Sequence, residues 1–258
     1  MTWSIIAHDR KTGEIGVAVT TCAFAVGARV PFVETGVGVI ATQSFVNPFY
    51  GLRGMELLRA GASAEDVLRI VTAADDGRAQ RQAHVMDRQF RFAAYTGEGC
   101  VDWCGHLLRK DFSVAGNMLA GPRVIEATAE TFAKTKGSLA ERFIAALRAG
   151  QAAGGDKRGK QSAAMRIHDA EEYSLYDLRV DDHPEPIEEL ARLLGVANQR
   201  YIQFRKLMPR RDDPAGVTDR AEIERRIAAA MAAAEAAETS TKKAMSKRSA
   251  KSPAKARA

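Results

Sequence analysis

The residue with the clearest chemical potential is Thr2, which stands directly before the apolar segment Trp3 to His8. A small second residue permits an aminopeptidase to remove Met1, and Thr2 then carries both a β-hydroxyl and a free α-amine. The unperturbed pKa of such an amine, about 7.7 to 8.0, leaves part of it neutral at cellular pH. A neutral amine can take the proton of a hydroxyl that is otherwise too weak to attack an amide. The sequence therefore predicts a hydrolase whose N-terminal threonine is the nucleophile.

A catalytic N-terminus must be held rigidly, whereas ordinary chain termini fray. Residues 3–8 and 14–20 have the pattern of two short apolar strands joined by a turn at residues 9–13, and no leader segment precedes them. This strand context favours a catalytic role for Thr2. The alternative is that Thr2 is an ordinary second residue, because threonine is common after an initiator methionine.

Other polar residues lie near the predicted strand ends. Asn117 is predicted to donate its side-chain amide to the oxyanion of a tetrahedral intermediate, an interaction that contributes about 2.7 to 4 kcal/mol when it is aimed correctly. A turn-forming role for Asn117 is an equal alternative. Ser4 shares the strand face of Thr2 by period-two spacing, and Ser44 ends a buried strand. The residues predicted to bind the substrate are Ser4, Ser44, Asp156 and Arg158, the last two as a pair at the mouth of the site.

Neither a metal nor another cofactor is predicted. The five histidines have no H-x-x-H or H-E-x-x-H spacing, and Cys100 and Cys104 are separated by three residues with no second pair. Residues 154–162 approach the pattern of a phosphate loop. However, Gln161 stands where a serine or threonine would bind magnesium, and the segment precedes a strand rather than a helix.

The net charge of +6 is concentrated at one end of the 258-residue chain. Residues 241–258 contain seven lysines and arginines and no acid, so residues 1–240 hold 31 basic residues against 32 acidic ones. Such a lysine-rich segment attracts phosphate polyanions without reading base edges. We therefore predict at most a weak, non-specific contact of residues 241–258 with nucleic acid or with an acidic partner.

The cysteine content and the hydropathy of the sequence indicate the cellular compartment of the protein. Three cysteines do not form a disulfide framework, and the start of the chain has no charged region followed by an apolar one. No apolar stretch approaches the roughly 20 residues that span a bilayer. A cytoplasmic protein with no membrane contact is expected.

The order of the predicted elements is strands, helices, strands, helices, strands. This order does not alternate as a doubly wound parallel sheet does, and it favours packed antiparallel sheets with helices outside. The predicted fold is α+β, a four-layer αββα sandwich, and the alternative is a two-layer α+β domain. We place this domain at residues 1–210, an Ala-rich helical extension at 211–240 and a disordered basic tail at 241–258, whose composition buries little surface.

Seven segments in this order resemble one family, the N-terminal-nucleophile-hydrolase-like proteins of domain-of-unknown-function family 1028. They are MTWSIIA (1–7), GVAV (16–19), FAVG (24–27), GVIATQS (38–44), AGNMLAGP (115–122), QAAGGD (151–156) and DLRVDDHP (177–184). The resemblance implies the αββα sandwich and a superfamily mechanism, but no substrate. The chain departs from proteasome-type members, because its second strand ends in Val19-Thr20-Thr21 without an acid and no lysine stands near Val33.

These observations together predict an amidohydrolase that cleaves a C–N bond of a small amide or cyclic amide. Two alternatives stay open: a non-catalytic binding or scaffold protein on the same fold, and a nucleic-acid-associated protein that acts through its basic tail. The apolar helices that the pattern leaves exposed predict a homodimer.

Overall fold

The computed structural model describes residues 2–250, with side chains described up to residue 234 and at residue 236. Contacts between Cα atoms divide the chain into two compact units, Met1–Leu194 and Gly195–Ala258. The first contains both β-sheets, and the second is helical.

The larger sheet has six antiparallel strands, which are short and contain many β-branched and small apolar residues. Its order is β10-β9-β2-β1-β8-β7, so β1 lies between β2 and β8 rather than at an edge. The strands are β1 (Thr2–His8), β2 (Ile15–Thr21), β7 (Gly105–Leu108), β8 (Phe112–Asn117), β9 (Ser162–His168) and β10 (Tyr176–Val180).

The smaller sheet has four antiparallel strands in the order β3-β4-β5-β6. They are β3 (Pro31–Glu34), β4 (Gly38–Ser44), β5 (Arg81–Asp87) and β6 (Phe92–Thr96). Strands β1 and β2 contact β4, and β8 contacts β5, so the two sheets pack against each other. The predicted α+β class is confirmed by these two antiparallel sheets with their helices.

Each sheet has a pair of helices against it. Helices α1 (Pro48–Arg59) and α2 (Ala64–Ala73) contact the smaller sheet, and α3 (Arg123–Lys134) and α4 (Leu139–Ala152) contact the larger one. The helix starts follow the sequence, because Asn47 and Ser63 accept hydrogen bonds from the first-turn amides of α1 and α2, and Ser138 forms a capping box with Glu141. Helix α5 (Pro186–Val196) follows the last strand.

The space between the sheets is apolar at one end and polar at the other. Ile6, Val17 and Val19 of the larger sheet pack against Val39 and other apolar residues of the smaller one. Toward the start of β1 the buried side chains are hydroxyls, amides and an imidazole, namely Thr2, Ser4, Gln43, Gln82, His84, Ser113 and Asn117. Because buried polar groups are costly unless they are hydrogen-bonded, this inter-sheet polar cluster must satisfy itself internally.

The second unit contains a π-helical turn at Ala197–Tyr201, α6 (Ile202–Arg205) and α7 (Arg220–Ala250). Helix α7 includes residues 241–250 of the segment that the sequence predicts to be a disordered basic tail, and residues 251–258 lie outside the described residues. Alanine, lysine, methionine and arginine are among the strongest helix formers, so the composition of this segment favours a helix. Within the described residues, no helix is long and apolar enough to cross a bilayer.

Candidate active site at the start of the central strand

Thr2 is the first residue of β1 and is held on both sides by neighbouring strands. Its Cα pairs with that of Asn117 on β8, and its Oγ1 donates a hydrogen bond to Oγ1 of Thr21 on β2, at 3.2 Å. The residue is 6% exposed. Thr2 is therefore anchored in a central strand of the larger sheet.

Two side-chain amides hold the backbone carbonyl of Thr2. Asn117 donates to this oxygen from Nδ2 at 3.3 Å, and Gln43 donates from Nε2 at 3.4 Å. The orientation of the Gln43 amide is fixed, because its Nε2 also faces the carbonyl of Ala115 at 3.1 Å. A flipped amide would set oxygen against oxygen.

Gln82 links these two amides. Its Oε1 accepts from Nε2 of Gln43 at 2.8 Å and from Nδ2 of Asn117 at 3.0 Å. Its own Nε2 lies 2.8 Å from the carbonyl of Gly116 and 2.9 Å from Oγ1 of Thr96, both of which are acceptors. Gln82 is completely buried. It therefore fixes the position of both amides that hold Thr2.

A buried imidazole continues the polar cluster. Ser4 donates its single proton to Oε1 of Gln43 at 2.6 Å, so the contact of 2.9 Å between Ser4 Oγ and His84 Nε2 requires the histidine to donate. His84 Nδ1 then accepts from Oγ of Ser113 at 2.9 Å. Burial, with a smaller contribution from His106, lowers the pKa of His84 to about 3. The ring is therefore neutral and protonated on Nε2.

The hydrogen bonds run in one direction from inside to outside. The order of donors is Ser113, His84, Ser4, Gln43 and Gln82, whose last acceptor is the Thr96 hydroxyl, and that hydroxyl lies 2.9 Å from Nδ1 of the exposed His106. Aligned bonds of this kind polarise and strengthen one another. A neutral amide does not transfer protons readily, so we interpret this series of hydrogen bonds as a rigid support for Thr2 and not as a proton relay.

Asp156 and Arg158 lie at the same end of the larger sheet. The buried carboxylate of Asp156 accepts from the backbone N–H of Cys22, the residue after Thr21, at 2.9 Å. Arg158 reaches the same carboxylate with Nη2 at 3.3 Å, and its side chain is 43% exposed. The two residues form the expected pair, in which the aspartate holds the end of β2.

The structure brings Thr2, Ser4 and Asn117 together but gives them different surroundings. Ser4 is completely buried, which favours a supporting role over contact with a substrate. The amide hydrogens of Asn117 already meet the Thr2 carbonyl and Gln82, which favours positioning over oxyanion binding. Ser44 is half-buried at the end of β4, with a left-handed φ of 74°. The assignment of these residues to catalysis and substrate binding stays a prediction.

Sequence reasoning missed the roles of Thr21, Gln43, Gln82 and His84 around Thr2. One signal was present: polar residues alternate with apolar ones in Gln82-Ala83-His84-Val85 although every one of them is buried. Such alternation in a buried strand indicates a polar inner face. For Thr21, the hairpin register places it opposite Thr2.

One cavity is next to Thr96, the residue whose hydroxyl accepts from Gln82. Its volume is about 430 Å³, and its wall also includes Asp76, Arg78, Ala79, Tyr95 and Glu98. Among the described residues, no group of three or more histidine, cysteine or acidic side chains could hold a metal ion.

Comparison with known proteins identifies the family of the chain. The model of a protein family of unknown function, DUF1028, matches residues 2–190. The chain belongs to the DUF1028 family. The predicted resemblance to this family is thereby confirmed.

One solved structure of the DUF1028 family is similar over most of its length. It is the crystal structure of protein SPO2555 from Silicibacter pomeroyi, with 33% sequence identity and a TM-score of 0.79, covering 84% of this chain and 99% of that chain. Anbu, an ancestral beta-subunit from Yersinia bercovieri, is similar at 11% identity and a TM-score of 0.39, covering 76% and 94% of the two chains. No curated protein matches the chain.

Replacement of Gln82 by methionine tests its linking role. The variant removes the acceptor of two buried amides and the donor to two backbone carbonyls, so we expect the free energy of unfolding to fall by about 3 kcal/mol. Gln80→Met is the matched control at an exposed position of the same segment, with an expected change within about 0.5 kcal/mol. Equal denaturant midpoints for the two variants would contradict the role of Gln82.

The neutral state of His84 predicts a pH dependence of stability. An unfolded histidine takes up a proton near pH 6.5, whereas folded His84 does so only near pH 3, so the unfolded state binds more protons between these values and stability falls as the pH falls. In His84→Gln this contribution is absent. We expect the slope of unfolding free energy against pH, measured by urea denaturation from about pH 6 to about pH 4, to be smaller by about 1.4 kcal/mol per pH unit than in the wild type. Parallel slopes would show that His84 is not buried neutral.

Proposed function

We propose that this DUF1028 protein is an amidohydrolase of the N-terminal-nucleophile type, in which Thr2 cleaves a C–N bond of a small amide or cyclic amide. The observation that carries the proposal is the fixation of Thr2. Its hydroxyl meets Thr21, and its carbonyl meets two amides that Gln82 holds. Ordinary chain termini are not held by so many hydrogen bonds.

The proposal includes the four-layer αββα architecture of such hydrolases. Support comes from the contacts between the two sheets and from the helix pair against each sheet. In this arrangement Thr2 lies at the end of the inter-sheet space, where polar side chains replace the apolar core.

The proposed reaction uses groups of Thr2 itself. Once Met1 is removed, the free α-amine takes the proton of Oγ1, and the oxygen attacks the carbonyl carbon of the amide. The tetrahedral intermediate collapses, the C–N bond breaks, and the protonated amine gives its proton to the departing nitrogen. Water then hydrolyses the ester on Oγ1, with the amine again as the base. Thr21 is placed to donate to Oγ1 after it loses its proton.

Binding of the substrate is assigned to the surroundings of Thr2. Asp156 holds the backbone at Cys22, and the exposed guanidinium of Arg158 suits a carboxylate on the substrate. Because the Asn117 amide is already bonded, we assign oxyanion stabilisation to a backbone N–H and positioning of Thr2 to Asn117.

One observation favours a second candidate, a binding or scaffold protein without turnover. Thr2 is only 6% exposed. Hydrolysis requires a path to Oγ1, whereas a scaffold function requires none.

The decisive experiment combines mass spectrometry with kinetics on a panel of amides, lactams and cyclic ureides. We expect an intact mass lower by one methionine residue, and a loss of turnover by at least about 10³-fold in Thr2→Ala, because the nucleophile is absent. Thr2→Ser keeps the hydroxyl and retains measurable activity. Thr12→Ala, at an exposed threonine of the β1–β2 turn, is the matched control with wild-type rates.

Two outcomes would reject the amidohydrolase. Equal rates for the wild type and Thr2→Ala would show that another group is the nucleophile. Retention of Met1 in the purified protein would leave Thr2 without its base and would favour the scaffold candidate.

A further inference from the structure

Two of the three cysteines lie in one loop, residues 97–104, which connects β6 to β7. Cys100 is buried, with 6% of its surface exposed, and Cys104 is half-buried. The Sγ atom of Cys104 lies 3.5 Å from the carbonyl oxygen of Cys100. The Sγ atom of Cys100 lies 3.3 Å from the carbonyl oxygen of Arg81. The reaction proposed for Thr2 uses neither thiol.

The two thiols of this loop are close enough to interact. Burial raises the pKa of Cys104, and the neighbouring Cys100 thiol and Asp102 carboxylate raise it further. A disulfide requires two cysteines whose Cα atoms lie within about 7 Å of each other. The contact of Cys104 Sγ with the Cys100 carbonyl folds the second residue back onto the first. Residues 101–104 belong to no strand or helix, so this loop can adjust without breaking the pairing of β7 with β8.

The difference in exposure gives the two thiols different roles. Thiol–disulfide exchange begins with the attack of a thiolate on one sulfur of a disulfide, and it passes through a mixed disulfide. Cys104 is partly open to solvent, so a small disulfide can reach it, whereas Cys100 is buried. The first attack therefore comes from Cys104, and Cys100 is the resolving thiol. The third cysteine, Cys22, follows β2 and contacts the carbonyl of Arg158 instead.

The cysteine loop is bound to the segment that follows Asn117. The backbone N–H of Met118 donates to the carbonyl of Val101 at 2.7 Å. Leu119 and Trp103 exchange two backbone hydrogen bonds, at 2.9 and 3.3 Å. Asn117 itself holds the start of β1 through its side-chain amide. A shift of the cysteine loop therefore acts on the backbone directly next to a residue that supports the candidate active site.

We propose that Cys100 and Cys104 form a reversible disulfide by exchange with a low-molecular-weight disulfide such as glutathione disulfide, and that its formation loosens the backbone after Asn117. The Cys104 thiolate attacks one glutathione sulfur, the S–S bond breaks, and the first glutathione leaves as a thiolate that takes up a proton. Cys100 loses its proton to solvent and attacks Sγ of Cys104, which releases the second glutathione. Two protein thiols are oxidised and one glutathione disulfide is reduced. The proposal stands whether or not Thr2 is a nucleophile.

The loosening follows from the contacts that the disulfide removes. When the two sulfur atoms bond to each other, they leave their present acceptors, the carbonyls of Arg81 and Cys100. The loop between the two cysteines must then shift, and it contains the carbonyls that accept from the Met118 and Leu119 amides. Backbone amides whose hydrogen bonds are weakened open to solvent more often. Faster hydrogen exchange at these two amides is therefore the expected signature of the oxidised loop.

Treatment of the full-length Cys22→Ser protein with glutathione disulfide, followed by intact mass spectrometry, tests the reaction. We use about pH 8.5, because the raised pKa of Cys104 slows exchange at neutral pH. We expect a loss of two hydrogens, a fall from two free thiols to none, and full reversal by dithiothreitol. With Cys100→Ser added, one glutathione should remain on Cys104, because the resolving thiol is absent. With Cys104→Ser added, the folded protein should stay unmodified, because Cys100 is buried.

Hydrogen exchange followed by NMR measures the link to the Asn117 segment in the same protein, with the pair of cysteines intact. We expect the amides of Met118 and Leu119 to exchange at least about three-fold faster after oxidation, while the amides of β4 keep their rates. Four results would overturn the proposal: two thiols that survive an excess of glutathione disulfide, a mixed disulfide that persists on Cys104 although Cys100 is present, a disulfide between two chains, or unchanged exchange at Met118 and Leu119 after oxidation.

Discussion

The structure depends on one small constraint, the fixation of the Thr2 carbonyl by two side-chain amides. Asn117 comes from the neighbouring strand of the same sheet and Gln43 from the opposite sheet, and Gln82 accepts from both. The start of β1 is thereby tied to both sheets at once. An apolar contact could bury this position equally well, but it would not orient the peptide of Thr2, because burial is not directional.

This constraint explains why the inter-sheet space contains polar groups at all. An unsatisfied buried amide costs on the order of 1 to 3 kcal/mol, so a polar cluster is tolerated only when each member has a partner. The described hydrogen bonds of Gln43 and Gln82 meet this condition. His84 must be neutral for the same reason, because a protonated ring has no nitrogen that could accept the hydrogen bond from Ser113. The cluster therefore favours one arrangement of Thr2 over its alternatives.

The sequence predicts those parts of the site that depend on local pattern. Period-two spacing placed Ser4 on the face of Thr2, and the first hairpin is visible in residues 3–20. The hydrogen bond between Gln43 and Gln82 depends on how β4 and β5 pair and on which face of their sheet packs against β1. Neither the strand pairing nor the sheet packing can be predicted from a local stretch of sequence. The four-residue strands β3 and β7 are too short for a clear period. The helix over residues 241–250 agrees with the high helix propensity of its alanine, lysine, methionine and arginine residues.

Strand β5 contributes side chains to both faces of the smaller sheet. Successive side chains of a strand point to opposite faces, so Arg81 reaches Asp75 on the outer face while Gln82 reaches the amides that hold Thr2. Asp75 directly follows the end of α2, so this one strand connects the support of Thr2 to the helix layer outside the smaller sheet.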